Sequence, residues 1–264
     1  MNKQIYNPSS TSFSLKEKVV HIWQIDMNCI SMVNQNKLRD ILSNQEIERA
    51  NKFRFDQDRN AFIKSTGLLR LLIQLYSKIP AAEISFTQNN FGKPEILTEQ
   101  NINNLNFNLS NSQHLVCIGF ILNEPIGIDV EVIKPINDYF DVANKFFSDS
   151  EIAQLKTFPE EKSLEAFYSC WTGKEAFIKY LGEGLSHPLK DFEVKIKVLN
   201  IEEIFHYSLI TKNTNEFFFV ELFRLNQESV GSFVLTKAPS ETKYWIFNEE
   251  VYPANLFVAD LLKD

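Results

Sequence analysis

Residues Gly127–Ile133 read GIDVEVI, and two carboxylates stand where a buried strand would be expected to carry Val or Ile. Side chains in a strand repeat with period 2, so Asp129 and Glu131 share one face, their Cα atoms roughly 6.5–7 Å apart. Ile128, Val130 and Val132 share the other face. Neighbouring anions repel, and any strand beside them must tolerate them. The pattern therefore predicts a strand with one apolar face and one face reserved for chemistry.

Upstream lie short β-rich pieces, ISFTQNNFGKPEIL and LNFNLSNSQHLVCIGFIL, punctuated by Asn, Gly and Pro. Before them, DRNAFIKSTGLLRLLIQLYSKI has helical spacing, with Phe62, Leu69, Leu72, Ile73 and Tyr76 in a stripe that Pro80 ends. Residues 44–54 also have helical spacing, and VVHIWQIDM alternates as a strand. Residues 1–18 read as a loose leader. Downstream, INDYFDVANKFF and SDSEIAQLKTF read as helices, and Ser148 with Glu151 forms a capping-box pattern. A long helix follows from about Glu161 to Leu181, closed by Gly182 and Gly184. DFEVKIKVL, IFHYSLI, EFFFVELFRL and GSFVLTK then alternate like antiparallel strands. Each half runs from helix into short strands, so the chain reads as α+β, with halves at 19–125 and 126–264.

Composition narrows the function. The net charge of −7 is a poor match for a phosphate backbone, so no nucleic-acid partner is expected. With only 8 Gly and no Gly-rich phosphate loop, a P-loop or dinucleotide fold is excluded. Cys29, Cys117 and Cys170 fit neither a zinc pattern nor a disulfide framework, which points to a reducing, cytoplasmic location. The polar N-terminus has no apolar signal core, and LLRLLIQLY is broken by Arg70 and too short to span a bilayer.

A second oddity lies in the long helix, at WTGKEAFIKYLGEGL. Glu175 falls on the row of Leu164, Phe167, Trp171, Ile178 and Leu181. A carboxylate on an apolar stripe needs a partner. A local pair with Lys174 or Lys179 would supply one. Alternatively Asp129, Glu131 and Glu175 converge on a hard cation, Mg²⁺, which prefers oxygen ligands and shares its shell with phosphates.

GIDVEVI followed about forty residues later by WTGKEAFIKYLGEGL resembles the 4′-phosphopantetheinyl transferases of the surfactin-synthetase-activating (Sfp) type. That family's signature is (V/I)G(I/V)D(x)E, then (F/W)(S/C/T)xKE(A/S)xxK, and both parts are complete here. FGKPEI, FNLSNS and FFSDSEIAQL resemble further family blocks, so the likeness runs from about Ser43 to Leu189. The resemblance implies two pseudo-symmetric α+β halves, each a small helix-packed antiparallel sheet, with the active site in the cleft between them, in a monomer. It implies transfer of the phosphopantetheine arm of coenzyme A to a serine of an apo acyl or peptidyl carrier protein, releasing adenosine 3′,5′-bisphosphate. Peptide-synthetase, polyketide-synthase and fatty-acid carriers all have the needed serine context.

By the same resemblance, Asp129, Glu131 and Glu175 hold Mg²⁺, and Lys179 stabilises the leaving phosphate. Glu175 or Glu151 takes the serine proton, and Lys93, Pro94, Ser110, Asn111 and Lys174 contact coenzyme A. Ile136, Tyr139, Phe140, Phe146 and Phe147 are candidates for carrier docking. Asn111 stands where the family usually has His, and Ala61 where it often has Arg; Arg49, Arg59 and Lys64 are candidate substitutes. Two other functions use the same residues: a Mg²⁺-dependent hydrolase of the coenzyme A pyrophosphate, and a non-catalytic coenzyme A-binding protein.

Overall fold

The computed structural model describes residues 4–5, 14–184, 187–211, 216–224 and 226–247. Most of the expected leader lies outside them. Alternation of apolar and polar residues builds two five-stranded sheets. In the first, β2 (Val19–Asp26), β6 (Leu115–Leu122) and β5 (Leu105–Ser112) run antiparallel. The strand β12 (Glu241–Phe247) returns from the end of the chain to pair parallel with β2, and β1 (Gln4–Ile5) pairs parallel with β12. In the second sheet, β7 (Gly127–Val132), β11 (Ser229–Leu235), β10 (Phe217–Phe223), β9 (Ile204–Thr211) and β8 (Phe192–Glu193) are antiparallel throughout. A small hairpin joins β3 (Phe86–Gln88) to β4 (Pro94–Ile96).

The α+β class and the two halves stand, but the first sheet is mixed, and it takes a strand from beyond residue 126. Two residues of the expected loose leader, Gln4 and Ile5, also belong to this sheet.

Six α-helices cover the sheets among the described residues. α1 (Met32–Asp40) and α2 (Asn44–Asn51) pack on α3 (Asp56–Ser77). Arg70 of α3 is buried; its guanidinium meets Glu46 at 2.8 Å and the carbonyls of Ala81 and Ile84 at 2.8 Å each. α4 (Tyr139–Phe146) and α5 (Asp149–Leu155) pack on α6 (Glu160–Leu181). The Ser148–Glu151 capping box is formed, and Gly182, with φ of 71°, ends α6. None of the described helices is long and apolar enough to cross a membrane.

Three cores result. One lies between the first sheet and α3, one between the second sheet and α6, and the third joins the sheets to each other. Ile128 and Val130 belong to the third, with Ile22, Cys117, Phe233 and Tyr244. The apolar face of β7 therefore holds the halves together and leaves its carboxylate face for the seam between β5 and α6.

Candidate active site

Gly127 starts this seam. A Cβ there would fall 2.0 Å from the Ala176 carbonyl oxygen and 2.2 Å from the Tyr180 nitrogen. Only glycine lets β7 approach α6 so closely. The approach brings Asp129 and Glu131 near Glu175 and Lys179, 44 to 50 positions away in the sequence.

The other wall is β5. It belongs to the other sheet, and its polar side chains bridge to β7. Asn108 Oδ1 accepts from the Ile128 amide at 2.9 Å. Ser110 Oγ donates to Asp129 Oδ1 at 2.7 Å. Ser112 Oγ donates to Glu131 Oε2 at 2.6 Å and accepts from the Val132 amide at 3.0 Å. Positions 108, 110 and 112 alternate as 129 and 131 do, so two period-2 patterns face each other across the halves.

Lys179 Nζ donates to Asp129 Oδ1 at 2.7 Å and to Ser110 Oγ at 2.8 Å. The ammonium therefore serves Asp129, and the local Glu175–Lys179 pair allowed by the spacing is not made. Asp129 is 3% exposed, and its second oxygen, Oδ2, is buried without a hydrogen-bond partner. Glu175 is pushed up to about 7 by burial first and then by Asp129 and Glu131, against the pull of Lys179. Burial and Asp129 also raise Glu131. The effect of Asp129 on both glutamates, and of Glu131 on Glu175, places the three carboxylates in one electrostatic cluster.

No group of three His, Cys, Asp or Glu side chains among the described residues is arranged to hold a metal ion outright. The donor set nonetheless fits a hard cation. All donors are oxygens, Asp129 raises the pKa of both Glu131 and Glu175, and Asp129 Oδ2 is a buried acceptor lacking a donor. Mg²⁺ commonly completes its shell with water and substrate phosphate, so three protein carboxylates need not close the shell themselves.

Other expected residues take different places. Lys174, expected at the coenzyme A phosphates, is fully buried on the far side of α6. Its Nζ meets Glu151 Oε2 at 2.8 Å and donates to the carbonyls of Leu189 at 2.7 Å and Phe192 at 3.0 Å. Glu151 is equally enclosed: Oε1 accepts from the Val194 amide at 2.8 Å and Oε2 from the Ser148 amide at 2.7 Å. In this geometry neither reaches the seam, whereas Glu175 lies beside it. The reason lies in the helix phase. The deepest row of α6 runs through Ala166, Cys170, Lys174 and Phe177, while Trp171 and Glu175 are half-buried at its margin.

Lys93 spans the halves as well. Its Nζ donates to the carbonyls of Lys179 at 2.7 Å and Ile126 at 3.1 Å, capping the C-terminal turn of α6. Burial lowers it to about 8, against the raising effect of Glu95. Asn89 Nδ2 donates to the Gly182 carbonyl at 2.9 Å in the same role. Lys93 and Pro94 line a cleft of about 500 Å³ with Asn106, Phe107, Ile126 and Tyr180. Ser110 is buried, whereas Asn111 points to the opposite face of β5 and is exposed. Of the substitute cations, Lys64 is engaged by the Met27 carbonyl and Arg59 by Asp56; Arg49 is exposed over the Phe62 ring. Phe147 is core, while Ile136, Tyr139, Phe140 and Phe146 are partly exposed, Phe146 lying against Trp171.

Asn108, Ser112, Gly127 and Asn89 are site-building residues that the sequence reading passed over. The alternation in FNLSNS was the available signal for the first two.

Fold and site together define an α+β enzyme whose polar machinery lies on the seam between two halves. Residues 125–236 match the family model described as the 4′-phosphopantetheinyl transferase superfamily, and residues 29–120 match that of the 4′-phosphopantetheinyl transferase N-terminal region. The chain is 30% identical over 199 residues to the 4′-phosphopantetheinyl transferase HetI of Nostoc sp., covering 74% of this chain and 82% of that protein. It is 33% identical to the 4′-phosphopantetheinyl transferase ffp of Bacillus subtilis and 30% identical to Sfp of the same species. Each match covers 63% of this chain and 72% of the relative. The chain belongs to the 4′-phosphopantetheinyl transferase superfamily and is a transferase enzyme.

Proposed function

We propose that this enzyme transfers the 4′-phosphopantetheine arm of coenzyme A to a serine hydroxyl of an apo acyl or peptidyl carrier protein, with Mg²⁺ as cofactor. The observation that carries the reading is Asp129. It is a buried carboxylate with one oxygen held by Lys179 and Ser110 and the other without a donor, clustered with Glu131 and Glu175. Such a cluster suits a pyrophosphate bound through a cation better than it suits a structural role.

Mg²⁺ held by Asp129, Glu131 and Glu175 would neutralise charge on the phosphoryl oxygens. In the reaction, the serine Oγ forms a bond to the pantetheine-side phosphorus, and the bond from that phosphorus to the bridging oxygen breaks. The serine proton passes to the Glu175 carboxylate. Adenosine 3′,5′-bisphosphate leaves with the bridging oxygen, and Lys179 stabilises its charge. Ser110 holds Asp129 and Lys179 in place. The cleft beside Lys93 and Pro94 takes the nucleotide end of coenzyme A, with Asn111 exposed for a phosphate contact. The half-exposed aromatic group of Tyr139, Phe140, Phe146 and Trp171, of which Trp171 lies one helical turn before Glu175 on α6 and Phe146 packs against Trp171, supplies the apolar surface for the carrier. Two buried thiols, Cys117 and Cys170, suit a reducing compartment, and we place the enzyme in the cytoplasm as a monomer.

The test is intact mass spectrometry of an apo carrier protein incubated with the enzyme, coenzyme A and Mg²⁺. A mass gain of one phosphopantetheine on the carrier is expected. It should be lost when Mg²⁺ is chelated and in Asp129→Ala, whose fold is retained. Free phosphopantetheine with an unmodified carrier would instead establish a hydrolase. Full transfer by Asp129→Ala would refute the assignment of the site.

A further inference from the structure

Glu221 lies in the middle of β10, in the apolar run FFFVELF, and is 1% exposed. It is remote in sequence from every residue given a role above. A carboxylate buried this deeply is costly unless donors surround it. Glu221 has three. His206 Nε2 meets Oε2 at 2.7 Å from the paired position on β9. Thr242 Oγ1 donates to Oε2 at 3.2 Å, and the Tyr244 hydroxyl donates to Oε1 in a short bond.

The last two donors are on β12. That strand belongs to the first sheet, where Thr242 pairs with Val20 and Tyr244 with Ile22 of β2. A single carboxylate of the second sheet thus grips two hydroxyls of the first. The rest of the contact around it is apolar and non-directional, with Tyr244 packed against Phe223 in the core between the sheets. A second polar tie between the two sheets is the Asn108–Ser110–Ser112 bridge from β5 to β7, while Lys93 and Asn89 tie the β3–β4 hairpin to the end of α6. In the first sheet, β5 and β12 are separated by β6 and β2. At the usual strand spacing the two ties therefore stand roughly 14 Å apart. Hydrogen bonds are directional and the apolar core between the sheets is not. Two ties at that separation fix an angle.

We propose that Glu221 is a latch that sets the angle between the two halves, and with it the width of the seam that carries Asp129, Lys93 and Lys179. Strand β12 is then a clasp as well as a sheet element. The latch concerns the halves themselves and does not depend on which reaction the seam performs.

The experiment measures the distance between spin labels on the halves by pulsed electron resonance. Cys29 is exposed in the first half, and Cys117 and Cys170 are fully buried. A second label is placed at the exposed end of α5 through Lys156→Cys. Glu221→Gln and Tyr244→Phe each weaken the latch with little change of shape. Tyr207→Phe is the control, because it removes a buried hydroxyl that has no partner.

The expected result is a narrow distance distribution in the parent and in Tyr207→Phe, and a broadened or shifted one in both latch variants. Amide exchange in β12 should rise about tenfold in the latch variants, the effect of losing one charge-assisted bond, while β5 and β7 keep their protection. An unchanged distribution in folded Tyr244→Phe would overturn the proposal. So would a uniform rise of exchange across both sheets, which would make Glu221 an ordinary stabilising residue. If Glu221→Gln does not fold, Tyr244→Phe decides alone.

Discussion

Replacing Lys174 by Met separates two descriptions of the residue beside Glu175, the proposed base. If Lys174 contacted substrate phosphate, the variant would be stable and would bind coenzyme A poorly. The structure gives the opposite expectation. The ammonium is fully buried, paired with Glu151 at 2.8 Å, and bonded to the carbonyls of Leu189 and Phe192. Its removal leaves a buried carboxylate that still accepts from the Val194 and Ser148 amides but lacks a counter-charge, and it strips two carbonyls of a donor. Breaking one side of a buried pair costs about 3–5 kcal/mol. For a chain of this size that corresponds to a drop in Tm of roughly 6–20 °C. The double variant Lys174→Met/Glu151→Gln should regain part of the loss, because no uncompensated charge remains. Thermal and urea melts of the three variants measure this, with coenzyme A titration alongside. A Tm within about 2 °C of the parent, together with a tenfold weaker grip on coenzyme A, would refute the reasoning and return Lys174 to the phosphate site.

Gly127→Ala should destabilise the protein toward the upper end of the ~1–3 kcal/mol seen for overpacking, because its Cβ meets backbone atoms of α6. Gly119→Ala meets side-chain atoms, chiefly the tip of Ile126 at 2.8 Å with Ile22 at 3.4 Å, and no backbone as close, and should cost less, so urea melts that rank the two equally would count against this account. Lys179→Ala should lower kcat by roughly 100-fold, as loss of a donor to developing charge does, with a much smaller rise in the KM for coenzyme A; steady-state kinetics showing a KM effect alone would make Lys179 a ground-state contact. Burial, aided by Lys243, pushes His21 down to about 3. The unfolded chain binds this proton below about 6.5 and the folded protein does not, so stability falls with pH between about 6.5 and 3, by about 1.4 kcal/mol per pH unit from this residue. Urea melts at pH 4.5, 5.5 and 6.5 should therefore show a shallower pH dependence in His21→Gln than in the parent, and equal slopes would refute the assignment.

The sequence by itself determined the strand GIDVEVI with its carboxylate face, the long helix bearing Glu175 and Lys179, and the α+β class in two halves. These are local signals: period 2, period 3.6, the S-x-x-E cap and the closing glycine are written in neighbouring residues. α1 was missed because it is polar nearly all round, with Gln35 and Leu38 its buried residues. β12 was missed because ETKYWIF gains its place only by pairing parallel with β2, over two hundred residues earlier. Which lysine serves which carboxylate was also a tertiary decision. By spacing, Glu175 could pair with Lys174 or Lys179. In the fold, Lys174 and Lys179, five positions and so about 140° apart around the helix, face different ways: Lys174 enters the core to meet Glu151 and Lys179 stays at the seam with Asp129. Helical phase is readable from sequence only when the apolar stripe is clean, and in α6 both faces are largely apolar, so packing against the second sheet chose the buried one. Ser110 and Ser112, which meet Asp129 and Glu131, and Thr242 and Tyr244, which meet Glu221, lie on strands of the other sheet, where distance along the chain carries no information about contact. Only the closing of the two sheets on each other could assign them.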